Sequence, residues 1–217
     1  MSVAAKICGL STEAAVTAAV AGGAAFLGFV FYPPSPRAVT AERAARLCAA
    51  VPEGIARVGL FVDADDATIS AVLAEARIDI LQFHGVESPE RVAEARASFG
   101  RPIMKVVAIA GSEDVLEAAR YEEVADMLLF DAKPPCRPDA LPGGNGLAFD
   151  WCLIAGRSWR RPWMLSGGLT AELLPEAVRL SGAVAVDVSS GVESRPGEKD
   201  LDKICAFLAA ARALGEE

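Results

Sequence analysis

The chain has 217 residues, 53% of them hydrophobic and 23% charged, with a net charge of −8. That balance predicts a sizeable core and excludes global disorder. It also argues against nucleic-acid or membrane-surface partners, which want a basic face, while a small anion held by local cations or backbone amides stays open.

In chain order, "VAAKIC" (3–8) is predicted as the first strand, and Ser11 opens a helix over "STEAAVTAAV" that Gly22 stops. "AAFLGFVF" (24–31) is the second strand. The uncharged run from Ala14 to Pro36 is long enough to span a bilayer, but Gly22–Gly23 divide it and "YPPSP" ends it. Helix, stop and buried strand is therefore the expectation, and Lys6 alone is a thin basic region for a signal peptide. Thr40 opens the next helix, before strands "ARVGLFV" (56–62) and "IDILQFH" (78–84). Ser88 with Pro89 opens a helix that Gly100 stops, before strand "RPIMKVVAI" (101–109). Ser112 opens another before "DMLLFDAK" (126–133), and "RPWMLSG" (161–167) is the seventh strand. Thr170 opens a helix that Gly182 stops, and "AVAVDVSS" (183–190) is the eighth strand.

Continuous apolar strands separated by helices signal a parallel sheet covered by helices. Eight such units without a linker predict an α/β fold, a single-domain (β/α)8 TIM barrel over residues 1–217. An open doubly wound sheet is the rival, but "CGLSTE" after the first strand is no dinucleotide fingerprint. Five scattered cysteines without a CxxC pair, and His84 as the sole histidine, give no disulfide framework or metal site. A reducing cytoplasm is the expected setting.

In such barrels the chemistry sits where strands end. "LSGGL" and "DVSSGVE" close strands seven and eight, so Gly167, Gly168, Ser189, Ser190 and Gly191 are expected to hold a phosphate with amides and hydroxyls. Asp187 is a further candidate contact. Strand alternation directs Asp131 into the barrel if Phe130 points out, and the same parity puts Cys8 and Lys6 on one face. A thiol and a carboxyl flanking one small molecule can move a proton, with Lys6 favouring the thiolate. A packed Cys8 and a structural Asp131 paired with Lys6 or Lys133 account for these residues equally well. Arg37, after "YPPSP", suits a carboxylate, against the alternative of an exposed surface arginine. Gln82 and His84 share a parity that can aim both into the same site.

Together "KICG", "GFVFYPPSPR", "RVGLFVD", "QFHG", "LLFDAK", "GGNGLAFDW", "LSGGL" and "DVSSGVE…PGEKD" resemble, in order and spacing, the phosphoribosylanthranilate isomerase family. The resemblance implies the Amadori rearrangement of N-(5-phosphoribosyl)anthranilate to 1-(2-carboxyphenylamino)-1-deoxyribulose 5-phosphate, in tryptophan biosynthesis. It implies Cys8 as general base, Asp131 as general acid and Arg37 as the ligand of the anthranilate carboxylate. It implies a small phosphorylated substrate and no cofactor or metal, because the substrate's own nitrogen is the electron sink. A monomer or homodimer is expected. Two positions depart from the family pattern: Phe83 stands where leucine is common, and Leu147 where lysine is frequent.

Overall fold

The computed structural model describes residues 3–135 and 141–214. Eight parallel strands close into a barrel, with β1 (Ala4–Cys8) pairing to both β2 (Phe26–Val30) and β8 (Ala185–Val188). Between these run β3 (Ala56–Phe61), β4 (Ile80–Phe83), β5 (Ile103–Ile109), β6 (Met127–Ala132) and β7 (Trp163–Leu165). All eight predicted apolar runs are barrel strands. Around them pack α1 (Glu13–Ala21), α2 (Ala41–Ala49), α3 (Asp66–Glu75), α4 (Pro89–Phe99), α5 (Ser112–Ala118), α6 (Leu174–Ser181) and α7 (Leu201–Ala213). A short hairpin, β9 (Glu193–Arg195) with β10 (Glu198–Lys199), follows β8.

The uncharged run from Ala14 to Pro36 resolves into α1, a glycine turn and β2. Among the described residues no helix is long and apolar enough to cross a membrane. Thr40 and Ser88 cap their helices, accepting from the N–H groups of Arg43 and Arg91, as the sequence predicts. Three starts differ by a few residues. Thr12 rather than Ser11 caps α1, accepting from the Ala15 N–H. Gly111 precedes α5, and the Asp114 carboxylate accepts from the Ala110 and Gly111 N–H groups, so Ser112 lies just inside. Thr170 accepts from Leu173 through its hydroxyl and from Leu174 through its carbonyl, and regular helix begins only at Leu174.

The sixth connection is the larger departure. Between β6 and β7 the described residues form no α-helix, only a 3₁₀ turn at Trp151–Leu153. The segment "LPGGNG" (141–146) carries helix breakers in place of a helical period. Trp159 and Trp163 cover the outer face of β6 here, with ring centroids 4.7 and 5.6 Å from that of Phe130.

Two apolar populations separate by strand parity. Outward residues such as Ile7, Phe29, Phe61, Phe83, Phe130 and Val186 join the helix faces in the main core. Inward residues Met104, Val106, Leu129 and Met164 pack with Phe26, Ile80, Met127 and Ala185 into a dry floor. Nearer the strand ends, Cys8, Val30 and Leu60 form a smaller inward cluster with Tyr32 and Val62. A filled floor under an open top confines any ligand to the C-terminal end of the barrel. Leu129→Ala should leave a cavity in that floor and destabilise the protein by about 2–5 kcal/mol in urea unfolding; a change within about 0.5 kcal/mol would show that the floor is not close-packed.

Candidate active site

The pocket at the strand ends is lined by Cys8, Arg37, Gln82, His84, Asp131, Gly167, Gly168, Asp187, Ser189, Ser190 and Gly191. These eleven are the residues predicted from the sequence to act on or bind a ligand, while Lys6 lies outside the lining. Residues 141–147, from the sixth connection, also line it.

On β1 the inward pair is Lys6 and Cys8, both buried. Strand register sets Lys6 beside Asp187 across the β1–β8 seam, and their side chains meet at 2.9 Å. The Ser166 hydroxyl donates to the second Asp187 oxygen at 3.3 Å. Burial pulls the Lys6 pKa down, but the Asp187 carboxylate and the Cys8 sulfur together outweigh it, so the net shift is upward and the ammonium is retained. The neighbouring strand contributes Gly28, where a Cβ would lie 2.9 Å from the Cys8 sulfur and 3.2 Å from Lys6 Nζ. Glycine at that position is what makes room for a thiol and an ammonium side by side. Burial pushes the Cys8 thiol above its ordinary range, and Lys6 only partly opposes it. Lys6 thus favours the thiolate, as expected, but desolvation of the buried thiol is the larger effect.

Asp131 is buried and inward, and neither lysine weighed as its structural partner reaches it. Lys6 pairs with Asp187, and Lys133 with Asp114 at 3.0 Å. Asp131 Oδ1 accepts its neighbour's Ala132 N–H at 2.8 Å, which fixes the carboxyl and leaves Oδ2 toward the pocket. His84 Nε2 stands 3.4 Å from that Oδ2 without a hydrogen bond. Gln82 is 1% exposed, and among the described residues both its amide atoms lack a partner. A buried amide left unpaired costs about 1–3 kcal/mol, a cost a ligand hydroxyl can remove.

Arg37 is 5% exposed, which rules out the surface-arginine alternative. Gly9 of "KICG" explains part of this: it has φ +78°, and a Cβ there would lie 2.7 Å from Arg37 Cδ. The guanidinium is not fully free, however. Its Nε and Nη2 donate to Glu193 Oε1 and Oε2, both at 2.8 Å, and Nη2 also donates to the Gly144 carbonyl at 3.2 Å. Among the described residues Nη1 has no acceptor, so this edge is left for a ligand. Burial pushes the Glu193 carboxyl up, but Arg37 and Lys199 outweigh it and hold it below its usual range.

At the other end Gly167 and Gly168 adopt φ +89° and +64°, and Ser190–Val192 form a 3₁₀ turn rather than a longer helix. The Ser189 hydroxyl donates to the Cys8 carbonyl at 3.2 Å. Lys199 donates to the Ser189 carbonyl at 2.9 Å, to its hydroxyl at 3.2 Å and to Glu193 at 2.7 Å. Asp187 lines the pocket but is committed to Lys6 and Ser166. Sequence reasoning assigned no role to Glu193, Lys199 or Ser166. The signal for the first two is a Pro196–Gly197 turn flanked by opposite charges.

A model of the N-(5′-phosphoribosyl)anthranilate (PRA) isomerase family matches residues 5–210. An N-(5′-phosphoribosyl)anthranilate isomerase of Rhodospirillum centenum is 57% identical over 214 residues, covering 99% of this chain and 100% of its own. The crystal structure of phosphoribosyl anthranilate isomerase from Thermotoga maritima is 35% identical, with a TM-score of 0.87 over 97% of this chain and 99% of that one. Another solved phosphoribosyl anthranilate isomerase, in complex with reduced 1-(o-carboxyphenylamino)-1-deoxyribulose 5-phosphate, is 33% identical with a TM-score of 0.84, covering 97% and 99% of the two chains. With a closed barrel, a pocket joining the predicted site residues, and matches along nearly its whole length, the chain belongs to the N-(5′-phosphoribosyl)anthranilate isomerase family.

Proposed function

We propose that this chain isomerises N-(5-phosphoribosyl)anthranilate to 1-(2-carboxyphenylamino)-1-deoxyribulose 5-phosphate, with Asp131 as general acid and Cys8 as general base. The observation that carries the assignment of roles is that one pocket joins a buried thiol and a fixed carboxyl to two anion-binding ends. At one end Arg37 Nη1 takes the anthranilate carboxylate. At the other, the loops around Gly167–Gly168 and Ser189–Gly191 take the phosphate. Support for that split is chemical: a guanidinium edge suits a planar carboxylate, and backbone amides with hydroxyls suit a phosphate dianion. A cytoplasmic, single-domain enzyme fits this biosynthetic role.

Asp131 donates its proton to the furanose ring oxygen as the anthranilate nitrogen lone pair opens the ring to an iminium. The positive nitrogen acidifies the C2′–H, and the Cys8 thiolate takes that proton, leaving an enolamine. Protonation at C1′ and loss of the enol O–H proton give the ketone. The C2′–H electron pair becomes the C1′=C2′ bond of the enolamine as the iminium π pair returns to the substrate nitrogen, and that C=C pair then forms the new C1′–H bond. Gln82 offers an amide donor and acceptor to the sugar hydroxyls, and His84 lies beside the acid.

Loss of anthranilate fluorescence on mixing with freshly made substrate follows the reaction directly. Cys8→Ser and Asp131→Asn should each lower turnover by a factor of roughly 10² to 10⁴. If both keep nearly full turnover, the assignment of acid and base is wrong. Because burial raises the thiol pKa while Lys6 opposes it, direct titration of Cys8, followed by thiolate absorbance in a variant with the other four cysteines replaced, should show thiolate forming only in the alkaline range. In Lys6→Gln that titration should move to higher pH, and an unmoved or acid-shifted one would contradict the electrostatic role of Lys6. Gln82→Leu should gain stability of about 1 kcal/mol by removing an unpaired buried amide. The same change should lose about tenfold or more in kcat/KM, about one hydrogen bond in the transition state; unchanged kinetics would exclude Gln82 from the substrate site.

A further inference from the structure

Glu193 and Lys199 are buried, charged and absent from the chemistry above, so their place needs a reason. The Glu193 side chain is 4% exposed and that of Lys199 is 2%. Four donors surround the Glu193 carboxylate: Arg37 Nε and Lys199 Nζ on one oxygen, Arg37 Nη2 and the Gly197 N–H on the other. A carboxylate has about four acceptor positions, so Glu193 has none left for a substrate proton. It is not a second base. Lys199 is likewise divided among Glu193, the Ser189 carbonyl and the Ser189 hydroxyl.

These contacts form one continuous path. It runs from Arg37 through Glu193 and Lys199 to Ser189, whose hydroxyl in turn holds the Cys8 carbonyl. The β9–β10 hairpin sets the two charges opposite each other, with Lys199 in register with Glu193. Its turn abuts the other loop: Gly197 has φ +86°, and a Cβ there would lie 2.5 Å from the Pro36 carbonyl oxygen. The hairpin therefore bridges the loop carrying Arg37 to the loop carrying Ser189.

We propose that Glu193 and Lys199 are positioning residues that make this hairpin a spacer, fixing the separation and angle between the carboxylate-binding and phosphate-binding ends. The inference rests on the reading under Proposed function. By occupying the Nε–Nη2 side of the guanidinium, Glu193 presents the Nη1 edge at one angle, so carboxylate recognition depends on Glu193 although it never touches substrate. Lys199 ties that angle to the phosphate loop. The spacer selects substrates by the span between their two anions.

The test compares N-(5-phosphoribosyl)anthranilate with N-(5-phosphoribosyl)aniline, which lacks the carboxylate, in wild type, Glu193→Gln and Lys199→Gln. Thermal unfolding of each variant accompanies the kinetics. Misplacing a positioning contact costs up to roughly a hundredfold. Glu193→Gln should lower the ratio of kcat/KM for the two substrates about tenfold, mainly through KM for the carboxylated one. Lys199→Gln should raise KM for both by about tenfold, because the phosphate loop loses its anchor while Arg37 keeps Glu193. A folded Glu193→Gln that loses activity equally on both substrates would make the network merely structural and overturn the proposal. If Glu193→Gln does not fold, Lys199→Gln decides, and an unchanged KM for both compounds overturns it. A wild type that does not turn over the carboxylated compound would instead overturn the parent reading, and this one with it.

Discussion

The site depends on one buried ion pair, Lys6 with Asp187, placed where the first and last strands of the barrel meet. Isolated charges in such an interior are costly, so neither partner is tolerated there without the other. The pairing requires the register that sets Lys6 beside Asp187, which is the register that closes the barrel. Closure and the charge state of the site are therefore linked. Once the ammonium is fixed, Cys8 two residues on has a cation beside it, and Gly28 across the β1–β2 seam leaves both the space they need.

The interior then divides by height. Below, methionine, valine and leucine fill the ring and exclude water. At the level of the ion pair, polar side chains satisfy one another, and above it unpaired groups begin. Gln82 with two free amide atoms, His84 Nε2 beside Asp131, and the Nη1 edge of Arg37 are all unsatisfied toward the pocket. Among the described residues the Trp151 and Trp159 indole N–H groups are also buried and unpaired but lie outside the pocket, whereas the unpaired groups of Gln82 and His84 line it, where a ligand would supply the missing partners. The pocket also carries Arg37 at one end and glycine and serine loops at the other, so an acidic protein of net charge −8 can still hold a doubly anionic substrate with local groups.

Much of this was legible in the sequence because the barrel repeats a simple signal. Each strand is an apolar run, and its last residues change to polar, which locates Cys8, Arg37, Gln82, Asp131 and the glycine–serine loops at one end. What stayed hidden were contacts between residues far apart in the chain. Glu193 and Arg37 are separated by 156 positions, and in sequence Glu193 reads as one charge in a solvated turn. The sign of the Cys8 shift was illegible for another reason: it is a difference between burial and a cation, and local sequence names the cation without measuring the burial. That the described residues of the sixth connection form no α-helix reflects its Gly- and Pro-rich segment 141–146, whose residues line the pocket instead. Thr12 in place of Ser11 as a cap reflects two adjacent hydroxyls of nearly equal propensity.

The most direct test is a crystal structure of this protein soaked with reduced 1-(o-carboxyphenylamino)-1-deoxyribulose 5-phosphate. The account predicts the carboxylate on Arg37 Nη1, the phosphate among Gly167–Gly168 and Ser189–Gly191, and C2′ held between the Cys8 sulfur and Asp131 Oδ2. A ligand bound end for end, with its phosphate on Arg37, or one whose sugar lies out of reach of either Cys8 or Asp131, would contradict it.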